Sequence, residues 1–201
     1  MLLGMAVLIA PRGSIVGKYR AWKVDRQMLQ QVRTTWNTLV AGAGRLDDAD
    51  GEVLIVTFSD YECSACRQAH DSVAAFLQAY PSAGIAYRHL PLSQHHMGLA
   101  AARAATCAAQ AARFREMHEH LFASDRWMDG TTWIPEAKLV EVADTISFAA
   151  CLRSSGTDLT LAGDQQLADQ LGVRATPTFV SRRGVLVGLP SRESLRRLVA
   201  F

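Results

Sequence analysis

The sequence predicts an α/β sandwich whose helical block forms a second lobe, preceded by an amphipathic helix. Three observations carry this. A continuous β-branched and aromatic run at residues 53–58 (VLIVTF) leads through a helical pattern into a second strand, a βαβ unit. A helical block then runs from about residue 97 to residue 172. Two short strands and a last helix close the chain.

The elements follow in order. Val24, Met28, Val32 and Trp36 recur every four residues, so residues 24–40 read as a helix with one apolar face, ended by Gly42 and Gly44. The unbroken run at 53–58 is the pattern of a strand buried on both faces and implies a parallel sheet. Val73, Phe76, Leu77 and Tyr80 mark a helix over residues 64–79, stopped by Pro81, and IAYRHL at 85–90 is the next strand. Nine of the sixteen residues from 97 to 112 are alanine, and Phe114, Met117 and Leu121 carry the spacing on, which predicts one long helical stretch. Further helices are expected at 136–143 behind Pro135, from a Ser147 cap to Leu152, and at 158–171, closed by Gly172. Residues 178–181 and 185–188 form a hairpin about Arg183-Gly184, and a helix begins at Ser191. Trp127, Met128 and Trp133, between helices, are expected to pack the lobe; an exposed apolar patch there would instead receive unfolded chains.

At 201 residues, 49% apolar and 20% charged, the chain suits one globular domain with a core, not a disordered or low-complexity chain. Its charge is uneven: residues 1–45 carry +6 of a net +2, which leaves the remainder at −4. The basic residues are dispersed and aromatics are 7%, so no nucleic-acid partner is implied. Residues 2–10 are all apolar or glycine, but nine helical residues rise only about 14 Å, short of a hydrocarbon core of about 30 Å. As an export signal the run lacks preceding basic residues and a clear cleavage site. We expect a clipped anchor or an upstream start, with a membrane tether through the N-terminus.

Cys63-Ser64-Ala65-Cys66 falls where the buried strand ends and a helix begins. Free N–H groups and the dipole at a helix start stabilise an anion, which makes Cys63 the nucleophile. Cys66 lies one turn inward, and two intervening residues let the sulfurs bond, so the pair can alternate between dithiol and disulfide. A lone C-x-x-C is also half of a zinc site, though a second such pair is absent. His70 shares a helix face with Cys63 and Cys66 and offers a rival reading, a copper or zinc ligand set without turnover. His95 and His96 read as caps or solvent contacts, and His118 and His120 as pointing to different faces; no metal is assigned. Cys107 and Cys151, 44 apart on expected helices, are read either as buried free thiols or as a pair.

Ala175-Thr176-Pro177-Thr178 precedes the first strand of the closing hairpin. Together, VLIVTFSDYECSACR, AARAATCAAQAARFREMHEHLF and QLGVRATPTFV resemble the thioredoxin fold, and in particular the DsbA-like thiol:disulfide oxidoreductases with their helical insertion, over about residues 52–200. Charge and periodicity set residues 1–45 apart as an N-terminal segment and helix, and the resemblance implies 46–201 as a thioredoxin-like domain with its insertion at about 96–172. It implies Cys63 and Cys66 as the catalytic pair, a cis Pro177 facing them, and Thr176 presenting its backbone to a substrate chain. It also implies a structural Cys107–Cys151 disulfide, worth about 4 kcal/mol on the chain-entropy model.

The implied reaction is thiol–disulfide exchange on exported proteins, with protein or peptide thiols as substrates, a redox partner to recycle the pair and no cofactor. The implied place is periplasmic or extracytoplasmic, where disulfides persist. The sequence departs from the best-known oxidases: Ser64 and Ala65 supply no histidine between the cysteines, and Glu62, if close, would raise the Cys63 pKa by like-charge repulsion. A reductase or isomerase role therefore stays open, as does an interaction module with incidental cysteines.

Overall fold

The computed structural model describes residues 26–47, 52–130 and 132–199. The apolar run at 2–10, the anchor or export reading attached to it, and the first residues of the expected 24–40 helix lie outside the described residues. Among those described, no helix is long and apolar enough to cross a membrane.

The chain forms α1 (Arg26–Val40), β1 (Gly44–Arg45), β2 (Val53–Ser59), α2 (Ser64–Ala79) and β3 (Gly84–His89), then five helices. These are α3 (Gly98–Gln110), α4 (Phe114–Ala123), α5 (Ile134–Leu139), α6 (Thr145–Leu152) and α7 (Ser155–Gln170). The hairpin β4 (Thr178–Ser181) and β5 (Gly184–Val187) and the helix α8 (Arg192–Val199) complete it. The five strands lie in the order β1-β3-β2-β4-β5.

The sheet is mixed, not parallel throughout. β2 and β3 are parallel because the crossover helix α2 returns the chain to the same end, while β1 and the closing hairpin run antiparallel to their neighbours. β1 was not expected: at two residues it shows no alternation, and its Gly44 lies where a Cβ would meet the Phe114 ring at 2.1 Å.

Alternation along β2 and β3 feeds two cores. Ile55, Ile85, Tyr87 and Phe179 face Val73 and Phe76 of α2, Met117 and Leu121 of α4, and Leu195 of α8. Val56, Phe58, Ala86 and Val180 face Val32, Trp36 and Leu39 of α1 and Leu167 and Leu171 of α7. Helices thus cover both faces, which is why β2 reads as an unbroken apolar run. The periodic face of α1 is buried on the sheet.

The helical lobe departs from expectation in its joints. The single stretch from 97 onward breaks between α3 and α4, with Ala112 at φ 55° and the Arg113 N–H returning to the Ala108 carbonyl at 2.8 Å. Alanine propensity carries no stop signal, but folding back seats Met117 and Leu121 at zero exposure in the core. Asp144, not Ser147, caps α6 by accepting the N–H groups of Ile146 and Ser147. Ser154 caps α7, which therefore starts before Asp158, and α5 ends at Leu139, short of the expected 143. Trp127 and Trp133 are buried, with ring centroids 5.9 Å apart, and Met128 packs on the same core, so they form no open patch.

One buried ion pair ties the lobe to the sheet. Arg88 of β3 donates to Asp164 of α7 at 2.7 Å and to the carbonyls of Thr38, Leu39 and Ala41 at the end of α1. The second Asp164 oxygen accepts the His89 N–H at 2.8 Å. These bonds satisfy helix-end carbonyls that would otherwise lack partners in the interior.

Candidate active site

Asp60, at the end of β2, organises the turn that starts α2. Its fully buried carboxylate accepts the N–H of Glu62 at 3.0 Å and of Leu92 at 2.8 Å, and pairs with His95 Nδ1 at 2.6 Å. The Cys63 N–H donates to the Asp60 carbonyl at 3.2 Å. Gly98 is required beside it, since a Cβ there would lie 2.7 Å from Asp60 Oδ1. His95 is thus a partly exposed partner of Asp60 and caps no helix.

Glu62 does not act on Cys63 as its place in the sequence suggests. Its carboxylate accepts the N–H groups of Met97 and Gly98, at 2.6 and 2.9 Å, at the start of α3. Those free helix-start donors take up its charge.

Cys63 is the N-cap residue of α2, with extended backbone, and Cys66 lies one turn in, almost fully buried. The Cys63 thiol donates to the Thr176 carbonyl at 3.6 Å. The Cys66 thiol is the largest influence on Cys63 and, against the opposing effect of burial, brings its pKa from 9.0 down to about 5 together with the Thr176 hydroxyl and the N–H groups of Cys66 and Ala65. Burial first, and then the neighbouring Cys63 sulfur, push Cys66 well above the usual thiol range. The two sulfurs are chemically unequal.

The Thr176–Pro177 peptide is cis, and Pro177 is buried with its carbonyl accepting the Gly188 N–H at 2.8 Å. The Thr178 hydroxyl donates back to the Ala175 carbonyl at 2.7 Å, which fixes the loop against α2. The Thr176 hydroxyl is buried with no other protein partner. Beside this loop a groove of about 520 Å³ is walled by Met28, Leu171, Val173, Ala175, Val185 and Val187.

Cys107 of α3 and Cys151 of α6 are joined in a disulfide with Cα atoms 5.7 Å apart. The Thr157 hydroxyl donates to the Cys151 carbonyl at 2.8 Å and closes the site.

His70 does not join the cysteines. Among the described residues, the three-donor set within 4.8 Å is His70, His118 and Glu119. His120 instead pairs with Glu136 of α5, so His118 and His120 do point apart. Sequence reasoning missed Asp60, and it missed the polar wall behind Cys66, where Thr57, Ser59, Tyr87 and His118 line a cavity of about 20 Å³. The one available signal was the polar interruption of the strand pattern at Thr57, Ser59 and Asp60.

The thioredoxin family profile matches residues 45–200, more than three quarters of the chain. The chain belongs to the thioredoxin family. Its structure is similar to that of a thioredoxin-like oxidoreductase from Silicibacter pomeroyi DSS-3, at 26% identity, TM-score 0.70, covering 87% of this chain and 95% of that one. The fold also matches the thiol-disulfide exchange protein alpha-DsbA2 from Wolbachia pipientis, at 16% identity, TM-score 0.72, covering 86% and 94%. It is therefore a DsbA-like thioredoxin fold with an inserted helical lobe. A curated relative, Na(+)/H(+) antiporter NhaA 3 of Salinispora tropica, is 33% identical over 131 residues, 65% of this chain. The chain spans 20% of that relative's length.

Proposed function

We propose that this member of the thioredoxin family donates disulfides to protein thiols, with Cys63 as the attacked sulfur and Cys66 as its buried partner. The observation that carries this is the placement of Cys63 at the start of α2, its sulfur 3.6 Å from the Thr176 carbonyl and Cys66 buried one turn in, an arrangement that lowers the Cys63 pKa without any imidazole between the cysteines. A substrate thiolate attacks Cys63 Sγ in the Cys63–Cys66 disulfide; that bond breaks, Cys66 leaves as a thiolate and takes up a proton. A second substrate thiolate then attacks the substrate sulfur of the mixed disulfide, and Cys63 leaves as a thiolate. Two substrate thiols have become one disulfide, and the pair holds the two electrons until a redox partner removes them.

Direction follows from which form the fold stabilises. A thiolate with pKa near 5 stays ionised at neutral pH and is a good leaving group, so the reduced pair is favoured and the disulfide form oxidises other thiols. The Thr176 backbone lies beside the Cys63 sulfur, where a substrate chain pairing with it in strand fashion would present its own cysteine. The adjacent apolar groove would take the flanking side chains of an unfolded polypeptide. The Cys107–Cys151 disulfide supports an extracytoplasmic place of action, since such bonds persist in oxidising compartments.

The test is the reduction potential of Cys63/Cys66, from thiol titration of the protein equilibrated in glutathione buffers. We expect a value near about −120 mV; a value near about −270 mV would overturn the oxidase direction and assign a reductase.

A further inference from the structure

We propose that His70 of α2 with His118 and Glu119 of α4 form a binding site for one divalent transition-metal ion, of which Zn²⁺ is the probe, directly behind the cysteine pair. The donor set is two imidazoles and one carboxylate, a zinc-competent combination that leaves a fourth position for water. Their ligand atoms lie within 4.8 Å of one another. His70 Nε2 and Glu119 Oε2 are 2.8 Å apart; two ligands of a tetrahedral zinc lie about 3.3 Å apart, so the ion replaces their shared proton after a small widening.

The site is built, not merely adjacent. His118 is buried, with its ring held at centroid distances of 4.9 Å from Tyr87 and 5.0 Å from Phe122. The Tyr61 hydroxyl meets His118 Nδ1 at 3.3 Å, which orients the ring and leaves Nε2 as the ligand atom. Asp71 stands 3.7 Å from His70 Nδ1, the other face of that ring, and Glu119 is half exposed, which gives the ion an entry from solvent.

Cys66, His70 and His118 line the same cavity, so the site lies next to the buried cysteine.

The site stands apart from the redox reading, and its test removes the thiols from play. The full chain, with Cys63–Cys66 oxidised, is titrated with Co²⁺, followed by d–d absorption, and with Zn²⁺ against a chromophoric chelator. We expect one ion per chain and no thiolate-to-metal charge-transfer band. His70→Ala and Glu119→Gln, both outside the deep core, should each weaken binding about tenfold or more with circular dichroism unchanged, while His120→Ala leaves it intact. No uptake, affinity unchanged in both variants, or binding seen only in the reduced protein with a charge-transfer band would overturn the proposal. Loss of exchange activity elsewhere in the protein would leave this result untouched.

Discussion

The surroundings of Cys63 and Cys66 differ from those of Cys107 and Cys151 in a way that burial does not reveal. The first pair is 9% and 2% exposed, the second 2% and 8%, so accessibility alone does not separate a reactive pair from a closed one. The backbone does. Cys63 is the N-cap of α2, where unbonded N–H groups point at its sulfur, whereas Cys107 lies inside α3 and Cys151 in the last turn of α6, among carbonyls. A thiolate is stabilised at a helix start and repelled at a helix end. The asymmetry within the first pair comes from one turn of helix, which carries Cys66 into the core. The second pair instead spans 44 residues and clamps two helices of the lobe.

Substitutions at each pair sharpen this contrast. The largest effect is expected at Cys63: Cys63→Ser should abolish thiol–disulfide exchange in a peptide oxidation assay, while the double substitution Cys107→Ala with Cys151→Ala should retain it. In Cys66→Ala the Cys63 pKa should climb from about 5 back toward 9.0, because the Cys66 thiol is its largest stabiliser. The pH dependence of alkylation by iodoacetamide reads this directly. An unmoved Cys63 pKa would return the whole effect to the helix start.

Stability should reverse the ranking of the pairs. Removing Cys107 and Cys151 releases a loop of 44 residues in the unfolded chain and should cost about 4 kcal/mol in urea unfolding, less any native strain relieved. A loss well below this would mean that the packing of α3 on α6 and the Thr157 bonds hold the lobe without the covalent clamp.

A further effect is a pH slope that only the first pair can produce. The folded Cys63 pKa, about 5, lies below its ordinary value of 9.0, so its contribution is full above 9 and lost as pH falls through 5. The stability of the reduced protein relative to Cys63→Ser should therefore rise across that window. Cys66 acts oppositely: its folded pKa is raised, so above about pH 9 the unfolded chain ionises it first and stability falls. Chemical denaturation of the reduced protein at stepped pH measures both limbs. Oxidation of Cys63–Cys66 should flatten them.

Much of the scaffold was legible in residue order. The run at 53–58, the spacing of Val73 and Phe76 and the closing hairpin were each strong local signals, because burial on two faces or one leaves a periodic trace. The joints of the lobe were not legible. Nothing local distinguishes Ala111-Ala112-Arg113 from the helix on either side, and Asp144 and Ser147 were equally able to cap a helix. In the site, Cys63 and Cys66 announced themselves by spacing, but Asp60 and Glu62 changed meaning once folded. Glu62, adjacent to Cys63 in the chain, spends its charge on α3.

Residue order alone settled the helix-start placement of Cys63, the βαβ unit and the amphipathic face of α1, since these depend on neighbours within a few turns. Contacts between residues far apart in the chain decided the rest. Thr176 meets Cys63 across 113 residues, Arg88 finds Asp164 across 76, and His70 turns to Glu119 in preference to the cysteines four and seven residues away on its own helix. Periodicity says which face of an element is apolar; it does not say which other element will cover it. That choice is made by packing, and with it the partners that set the charge on each sulfur and each imidazole.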